Sequence, residues 1–170
     1  MVDEATYAPG GLPGGADEAA FEAWVRPHLT SMSRLAARLV PAADRDDVVQ
    51  DALVRAWRRR STYDASRGSA VGWLLAIVAD QARRRKPARV VPLAPADRQT
   101  LPPESERRID VERAIAALPP RQRLAVNLHY FVDLDIATCA EVMRCAEGTV
   151  KATLHQARGQ LHDALGDARD

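Results

Sequence analysis

Apolar residues recur along this chain at helical spacing, and no stretch alternates apolar and polar positions long enough to form a strand. Asp17 suits an N-cap, and behind it Phe21, Trp24 and Val25 open an amphipathic helix. Pro27 interrupts that helix before Leu29, Met32, Leu35, Ala36 and Leu39 resume the period, and Pro41-Ala42-Ala43-Asp44 then makes a turn. The clearest helix follows. Val49, Ala52, Leu53, Ala56 and Trp57 form one apolar stripe, with Asp46 and Asp47 in the first turn and Arg58-Arg59-Arg60 in the last, matching the helix dipole at both ends. Ser61 to Gly68 is rich in turn formers. Ser69 is placed to cap a further helix whose buried side carries Val71, Leu74, Leu75, Val78 and Ala82, and which ends in Arg83-Arg84-Arg85-Lys86 before Pro87.

Helical period returns after a gap. Val111, Ile115 and Leu118 predict a short helix stopped by Pro119-Pro120, and Leu124, Leu128 and Phe131 predict another. Ile136, Cys139, Ala140 and Met143 are spaced i, i+3, i+4, i+7, and Glu147-Gly148-Thr149-Val150-Lys151 opens a run through Leu154, Ala157 and Leu161. The Arg144-Cys145-Ala146 step between these two runs allows only a tight turn, which gives either a helix-turn-helix or an ordinary helical hairpin. Glu147, Gly148 and Thr149 suit the first turn of the second helix, where free N–H groups and the positive dipole end can face a phosphate.

The gap sets the domain organisation. Residues 87–108 hold Pro87, Pro92, Pro95, Pro102 and Pro103 with few apolar residues in helical phase, the composition of an extended linker. The predicted fold is all-α: two small helical domains over 17–86 and 109–166 joined by that Pro-rich linker, with the Gly/Pro-rich residues 1–16 a disordered tail. Aromatic residues make only 5% of the 170-residue chain, which favours helices over sheets. With no run of about eighteen uncharged apolar residues and no basic-then-apolar leader, a cytoplasmic protein without membrane insertion is expected.

A net charge of +1 conceals an asymmetry: residues 18–89 hold fourteen Lys/Arg against eight Asp/Glu, and residues 90–170 hold ten against twelve. Nucleic-acid phosphates would lean on the first half. Cys139 and Cys145 lack CxxC spacing or a histidine pair, so they read as small core hydrophobes, and no metal or cofactor is expected. The His, Asp and Glu residues show no triad or dyad, which argues against an enzyme.

Several of these segments carry a resemblance in register. Asp46-Asp47-Val48-Val49-Gln50-Asp51-Ala52-Leu53-Val54-Arg55-Ala56-Trp57, then Tyr63-Asp64 with Arg67-Gly68 and Trp73-Leu74, then Ala117-Leu118-Pro119, and finally Glu147 to Lys151 with Ala157-Arg158 resemble the bacterial sigma-70 family, in its extracytoplasmic-function (ECF) group. The likeness covers roughly residues 18–165.

The resemblance implies an alternative sigma factor without catalysis of its own. Its region 2 domain would bind the polymerase core and the −10 element, and its region 4 helix-turn-helix would read the −35 element. It implies that Asp47, Gln50, Asp51 and Arg55, on the polar face of their helix, dock on the clamp of the largest polymerase subunit, with the flap as a further contact. The loop with Tyr63, Asp64 and Arg67 would hold a base flipped out of the non-template strand, since Tyr63 offers a stacking surface and Arg67 can meet a phosphate. Arg83, Arg84, Arg85 and Lys86, with Arg89 beyond them, would contact −10 phosphates. Trp73 stays open between core anchor and DNA contact.

In the second domain Arg144, Thr149, Lys151, His155, Gln156 and Arg158 are the candidate −35 contacts. The chain departs from the family there: Arg144 stands where Gly is usual, and Lys151-Ala152-Thr153-Leu154-His155-Gln156-Ala157-Arg158 lacks two cations of the usual Lys-Ser-Arg-Leu-x-Arg-Ala-Arg. That predicts a weak or unusual −35 contact, with Arg144 as a substitute phosphate contact. Expected partners are polymerase core, promoter DNA and an anti-sigma factor. Two other readings use the same residues: a helix-turn-helix regulator that binds duplex DNA independently of polymerase, and a helical adaptor that binds protein only.

Overall fold

A computed structural model of the chain describes residues 17–85 and 103–166, with side chains in the second segment from Arg107 onward. The expectations for residues 1–16 and 87–102, and for Lys86 and Arg89, lie outside the described residues. Among the described residues every regular element is helical.

Helix α1 (Glu18–Val25) starts as the sequence predicts, with the Asp17 carboxylate accepting from Ala20 N–H at 2.9 Å. A one-turn 3-10 segment, Arg26–His28, absorbs Pro27 and leads into α2 (Leu29–Leu39). Phe21, Trp24, Val25, Met32, Leu35 and Ala36 are buried, whereas Leu29, expected on the same stripe, stands exposed at the helix start. In α3 (Arg45–Arg59) the buried line is Val48, Ala52 and Ala56. Val49, Leu53 and Trp57 flank it half-buried, so the predicted stripe was centred one residue too far along the chain.

Helix α4 (Ala70–Arg84) begins at Ser69, whose hydroxyl accepts from Gly72 N–H at 3.0 Å. The expected side is buried at Leu74, Leu75, Val78 and Ala82, with Val71 half-buried. Ala76, Ile77 and Ala79 are buried as well, so α4 is apolar on nearly all faces, as a helix covered from two sides must be.

The second cover is the C-terminal segment. It comprises α5 (Pro103–Ala117), α6 (Pro120–Val126), a wide π turn (Asn127–Phe131), α7 (Ile136–Met143) and α8 (Glu147–Gly166). Helix α5 begins at Pro103, inside the stretch expected to be linker up to 108. Pro at the first helical position costs nothing there, and Glu104, Glu106, Arg107 and Arg108 are good helix formers. The expected helix through Leu124, Leu128 and Phe131 widens at Asn127, and the extra residue in that turn swings Phe131 out. Phe131 is exposed, with the Arg38 guanidinium 3.7 Å above its ring.

Helix α7 packs along α4 and the π turn packs against α2, so one apolar cluster runs continuously from Phe21 to Ala157. Arg38 of α2 adds a polar seam: it makes a two-pronged pair with Glu112 of α5 at 2.8 Å each and donates to Asn127 Oδ1 at 3.0 Å.

Candidate polymerase and nucleic-acid interface

On α3, a rotation of 100° per residue places Asp47, Gln50, Asp51 and Val54 on one side, opposite Val48, Ala52 and Ala56. The first four are all exposed, and Val54 at 45% is an apolar residue left open among polar ones. Arg55 does not complete this face. It sits beside Val48 on the helix, is half-buried, and its Nε is buried without a hydrogen-bond partner.

The acidic face is tied to the end of α4. Arg85 places Nη1 3.2 Å from Asp44 and 3.4 Å from Asp47, and Nη2 2.9 Å from Asp51. These carboxylates, Asp51 first, raise the Arg85 pKa further above its ordinary value. Arg85, predicted as a −10 phosphate contact, is thus committed to Asp47 and Asp51 of α3 and to Asp44 just before it; a guanidinium that has three carboxylates within reach settles there. Arg83 is paired as well, with Asp80 one turn back. Arg84 is exposed.

The loop after α3 is built by its own polar groups. Asp64 accepts from Ser66 N–H at 2.9 Å and Ser66 Oγ at 2.7 Å, and these bonds hold its carboxyl below the usual aspartate range. Tyr63 is half-buried, donates its hydroxyl to Gly68 O at 3.3 Å, and tilts against Trp24 and Trp73 at 5.2 and 5.5 Å between ring centres. Burial, then the charges of Glu141 and Asp64, push its phenol pKa up. Trp73 is half-buried in the same aromatic group, 6.1 Å from Trp24, and serves as a packing anchor that still reaches the loop. Tyr63, Asp64, Arg67 and Trp73 line a cavity of about 220 Å³, closed on its far side by Glu141 and Arg144.

In the helix-turn-helix, Asp135 caps α7 by accepting from Thr138 N–H at 2.7 Å. Arg144 adopts left-handed backbone at φ 51°, and Cys145 N–H returns to Ala140 O at 3.1 Å, a Schellman turn that satisfies the last carbonyls of α7. Left-handed backbone explains why glycine suits this position. The Arg144 side chain reaches Asp80 of α4 at 3.2 Å instead of facing outward with α8, so the structure does not group it with the other candidate −35 contacts.

Those contacts lie on the open side of α8. Thr149, Lys151, His155, Gln156 and Arg158 are all exposed, opposite buried Val150, Leu154 and Ala157. Lys151, His155 and Arg158 share one flank and Thr149 and Gln156 the other; between them run Gly148, Ala152 and Gly159. Thr153, at one of the two missing cations, is buried and bonds Thr149 O at 2.7 Å. Thr153 itself therefore offers no outward contact.

Cys139 is fully buried, and its thiol pKa is pushed up to about 11 by burial and then by Asp135, which fits the reading as a core hydrophobe. The sequence reading missed the Arg38, Asn127 and Glu112 seam and the carboxylate of Glu141, which accepts from Ser69 N–H at 3.0 Å and Ser69 Oγ at 2.6 Å. Only Ser69, noted as a cap, carried a signal.

Comparison with known proteins decides the family. The sigma-70 region 2 model matches residues 20–88 and the sigma-70 region 4 model matches residues 108–161. The chain is 37% identical over 162 residues to the ECF RNA polymerase sigma factor SigM of Mycobacterium tuberculosis, covering 88% of this chain and 79% of that protein. It belongs to the ECF sigma factors of the sigma-70 family. The ECF RNA polymerase sigma-E factor of Escherichia coli is 30% identical, with 88% of each chain covered. Among solved structures, CnrH in complex with the cytosolic domain of CnrY shares the fold at TM-score 0.68 and 24% identity, covering 92% of this chain and 94% of that one. The sigma factor RpoE in complex with the anti-sigma factor NepR from Bartonella quintana shares it at 0.64 and 24%, covering 86% and 96%. As an ECF sigma factor, this chain directs RNA polymerase to promoters.

Proposed function

We propose that this sigma factor docks on polymerase core through the face of α3 formed by Asp47, Gln50, Asp51 and Val54. The observation that carries this is the combination on one helix of exposed acids with an exposed aliphatic residue, rigidly backed by the Val48, Ala52 and Ala56 stripe. A charged ring around an apolar contact is the composition of a protein-binding surface. The partner is the clamp of the largest subunit, with the flap as a second contact, and the work is cytoplasmic. No helix among the described residues is long and apolar enough to cross a membrane.

The Tyr63–Gly68 loop then receives an unpaired base of the −10 element. The cavity beside Tyr63 and Trp73 supports this, because an aromatic floor with polar loop groups at its rim suits an unstacked base. Arg67, exposed at the cavity, and Arg84, exposed at the far end of α4, supply phosphate contacts, with Lys86 continuing the basic run in the sequence.

Helix α8 reads the −35 duplex with two cations, Lys151 and Arg158, plus His155, Thr149 and Gln156. Its open face is short of charge and its centre carries Gly148, Ala152 and Gly159, which supports weak −35 affinity. An anti-sigma factor is the expected protein partner, since the similar fold of RpoE is seen in complex with the anti-sigma factor NepR.

The test is equilibrium binding to purified polymerase core. The wild-type chain binds and Asp47→Arg/Gln50→Ala loses binding while keeping its helicity; equal affinity of the two would remove α3 as the docking face.

A further inference from the structure

A second groove opens beside the last turn of α4. It holds about 280 Å³ and is walled by Arg83 of α4, Arg121 and Leu124 of α6, Val142 and Met143 of α7, and Arg144 of the turn that follows. Its rim is cationic. Arg83 and Arg144 share the carboxylate of Asp80, Arg83 at Oδ1 and Arg144 at Oδ2, the latter at 3.2 Å. Arg121, exposed in the first turn of α6, has no ion pair among the described residues. One carboxylate thus answers three guanidiniums, and two positive charges at the rim stay uncompensated.

The floor is apolar: Val142 and Met143 are buried and Leu124 is half-buried. Like charges held close repel one another, so the rim favours an anion. Guanidinium forks match phosphate oxygens two at a time, and donors remain for this. Arg144 spends only Nη2 on Asp80, while Arg83 spends Nη2 there and lends Nε to Ala79 O at 3.4 Å. The floor suits a flat ring, because a methionine sulfur takes aromatic edges and a guanidinium plane takes an aromatic face. The volume lies just under the roughly 300 Å³ at which small-molecule pockets begin, so the ligand is compact.

We propose that this groove binds a small aromatic phosphate monoester of mononucleotide size, its phosphate among Arg83, Arg121 and Arg144 and its ring on Leu124 and Met143. Such a monoester carries close to two negative charges at neutral pH, which meets the uncompensated charge of the rim. A backbone phosphodiester carries one, and its stacked bases leave the floor unfilled. The site shares only Arg144 with the cavity beside Tyr63. Its walls come from both matched regions, α4 from region 2 and α6 and α7 from region 4. The ligand is held only while these helices stand together, so occupancy stabilises their contact by mass action. The groove thereby gives the sigma factor an input from a small metabolite that needs no partner protein.

The experiment is calorimetric titration of the full chain at low ionic strength with uridine monophosphate, uridine, inorganic phosphate and a short DNA duplex, with thermal unfolding in parallel. Wild type should bind uridine monophosphate about tenfold more tightly than inorganic phosphate, gain Tm with its concentration, and ignore uridine. Arg121→Ala and Arg144→Gly should each weaken the nucleotide about tenfold, whereas Arg34→Ala, exposed on α2, should not. Far-UV circular dichroism controls for folding, which neither variant should disturb, since Arg121 has no ion pair and glycine suits the left-handed turn at Arg144. No nucleotide binding up to about 1 mM overturns the site, as does binding unchanged in both variants. Equal affinity for the nucleotide and inorganic phosphate overturns the aromatic class. Duplex binding that falls in Arg121→Ala, with no nucleotide bound, assigns the rim to a nucleic-acid backbone instead.

Discussion

Arg85 and Asp51 are joined by a 2.9 Å ion pair that links the end of α4 to the acidic face of α3. With Asp44 and Asp47 also in reach, this one cation offsets part of the charge that the docking face would present to polymerase. The pair is solvent-screened, since the Asp51 side chain is 56% exposed. Arg85→Ala should therefore leave the unfolding free energy little changed. Core binding should persist in the variant and depend more steeply on salt. A loss of core binding equal to that of Asp47→Arg/Gln50→Ala would show that Arg85 itself is a contact.

Arg144 is a non-glycine residue in left-handed backbone at the turn between α7 and α8. Relief of that strain makes Arg144→Gly stabilising by about 1 kcal/mol, because the Arg144 side chain is 65% exposed in the ion pair it gives up and Asp80 keeps Arg83 as a partner. Denaturant unfolding at neutral pH measures the change; a destabilised variant would mean that the Asp80 pair outweighs the backbone.

Asp135 caps the same helix, and its carboxyl is held below the usual range by Thr138 N–H. Asp135→Ala should cost about 1 kcal/mol. Because the folded pKa is depressed, the contribution is present above the ordinary aspartate pKa of about 4 and is lost as pH falls through the lower, folded value. Wild type and variant should therefore converge in stability in acid, which thermal unfolding across pH would reveal.

The Cys139 thiol, raised to about 11, titrates with the opposite sign. Stability from its burial is complete below the ordinary thiol pKa of about 8.5 and fades as pH rises toward the folded value. In the native chain iodoacetamide should modify half-buried Cys145 and spare Cys139, with Cys139 reacting only on unfolding. Equal labelling of both in native buffer would contradict the buried assignment.

Helix α8 offers one open position where a missing charge can be restored. Gln156 is exposed, so Gln156→Arg should strengthen duplex binding and steepen its salt dependence by about one phosphate contact. Thr153 is buried and bonded to Thr149 O, so Thr153→Arg should destabilise the domain by about 1–3 kcal/mol instead of adding affinity. Titrations of duplex DNA at two salt concentrations separate the two cases.

Much of this was legible in the sequence because helical caps and stripes are local. Asp17, Ser69 and Pro27 act within a turn of themselves, and their positions fixed the starts of α1 and α4 and the break before α2. The exposed faces of α3 and α8 followed from the same periodicity. Contacts between distant segments were not legible. Nothing near Arg85 in the chain announces Asp51, and nothing near Glu141 announces Ser69, seventy-two positions away. One nonlocal signal was present and undervalued: Ala76, Ile77 and Ala79 leave α4 with almost no polar face, which requires a second covering element. The π turn was hidden for a different reason, since Leu124, Leu128 and Phe131 keep an α-helical spacing while the backbone widens under them.

Transcription by purified polymerase core on a library of promoter fragments, with and without this protein, tests the central claim most directly. The account predicts initiation that depends on the added chain and is abolished by Asp47→Arg/Gln50→Ala. Absence of chain-dependent initiation, or initiation undiminished in that variant, would contradict it.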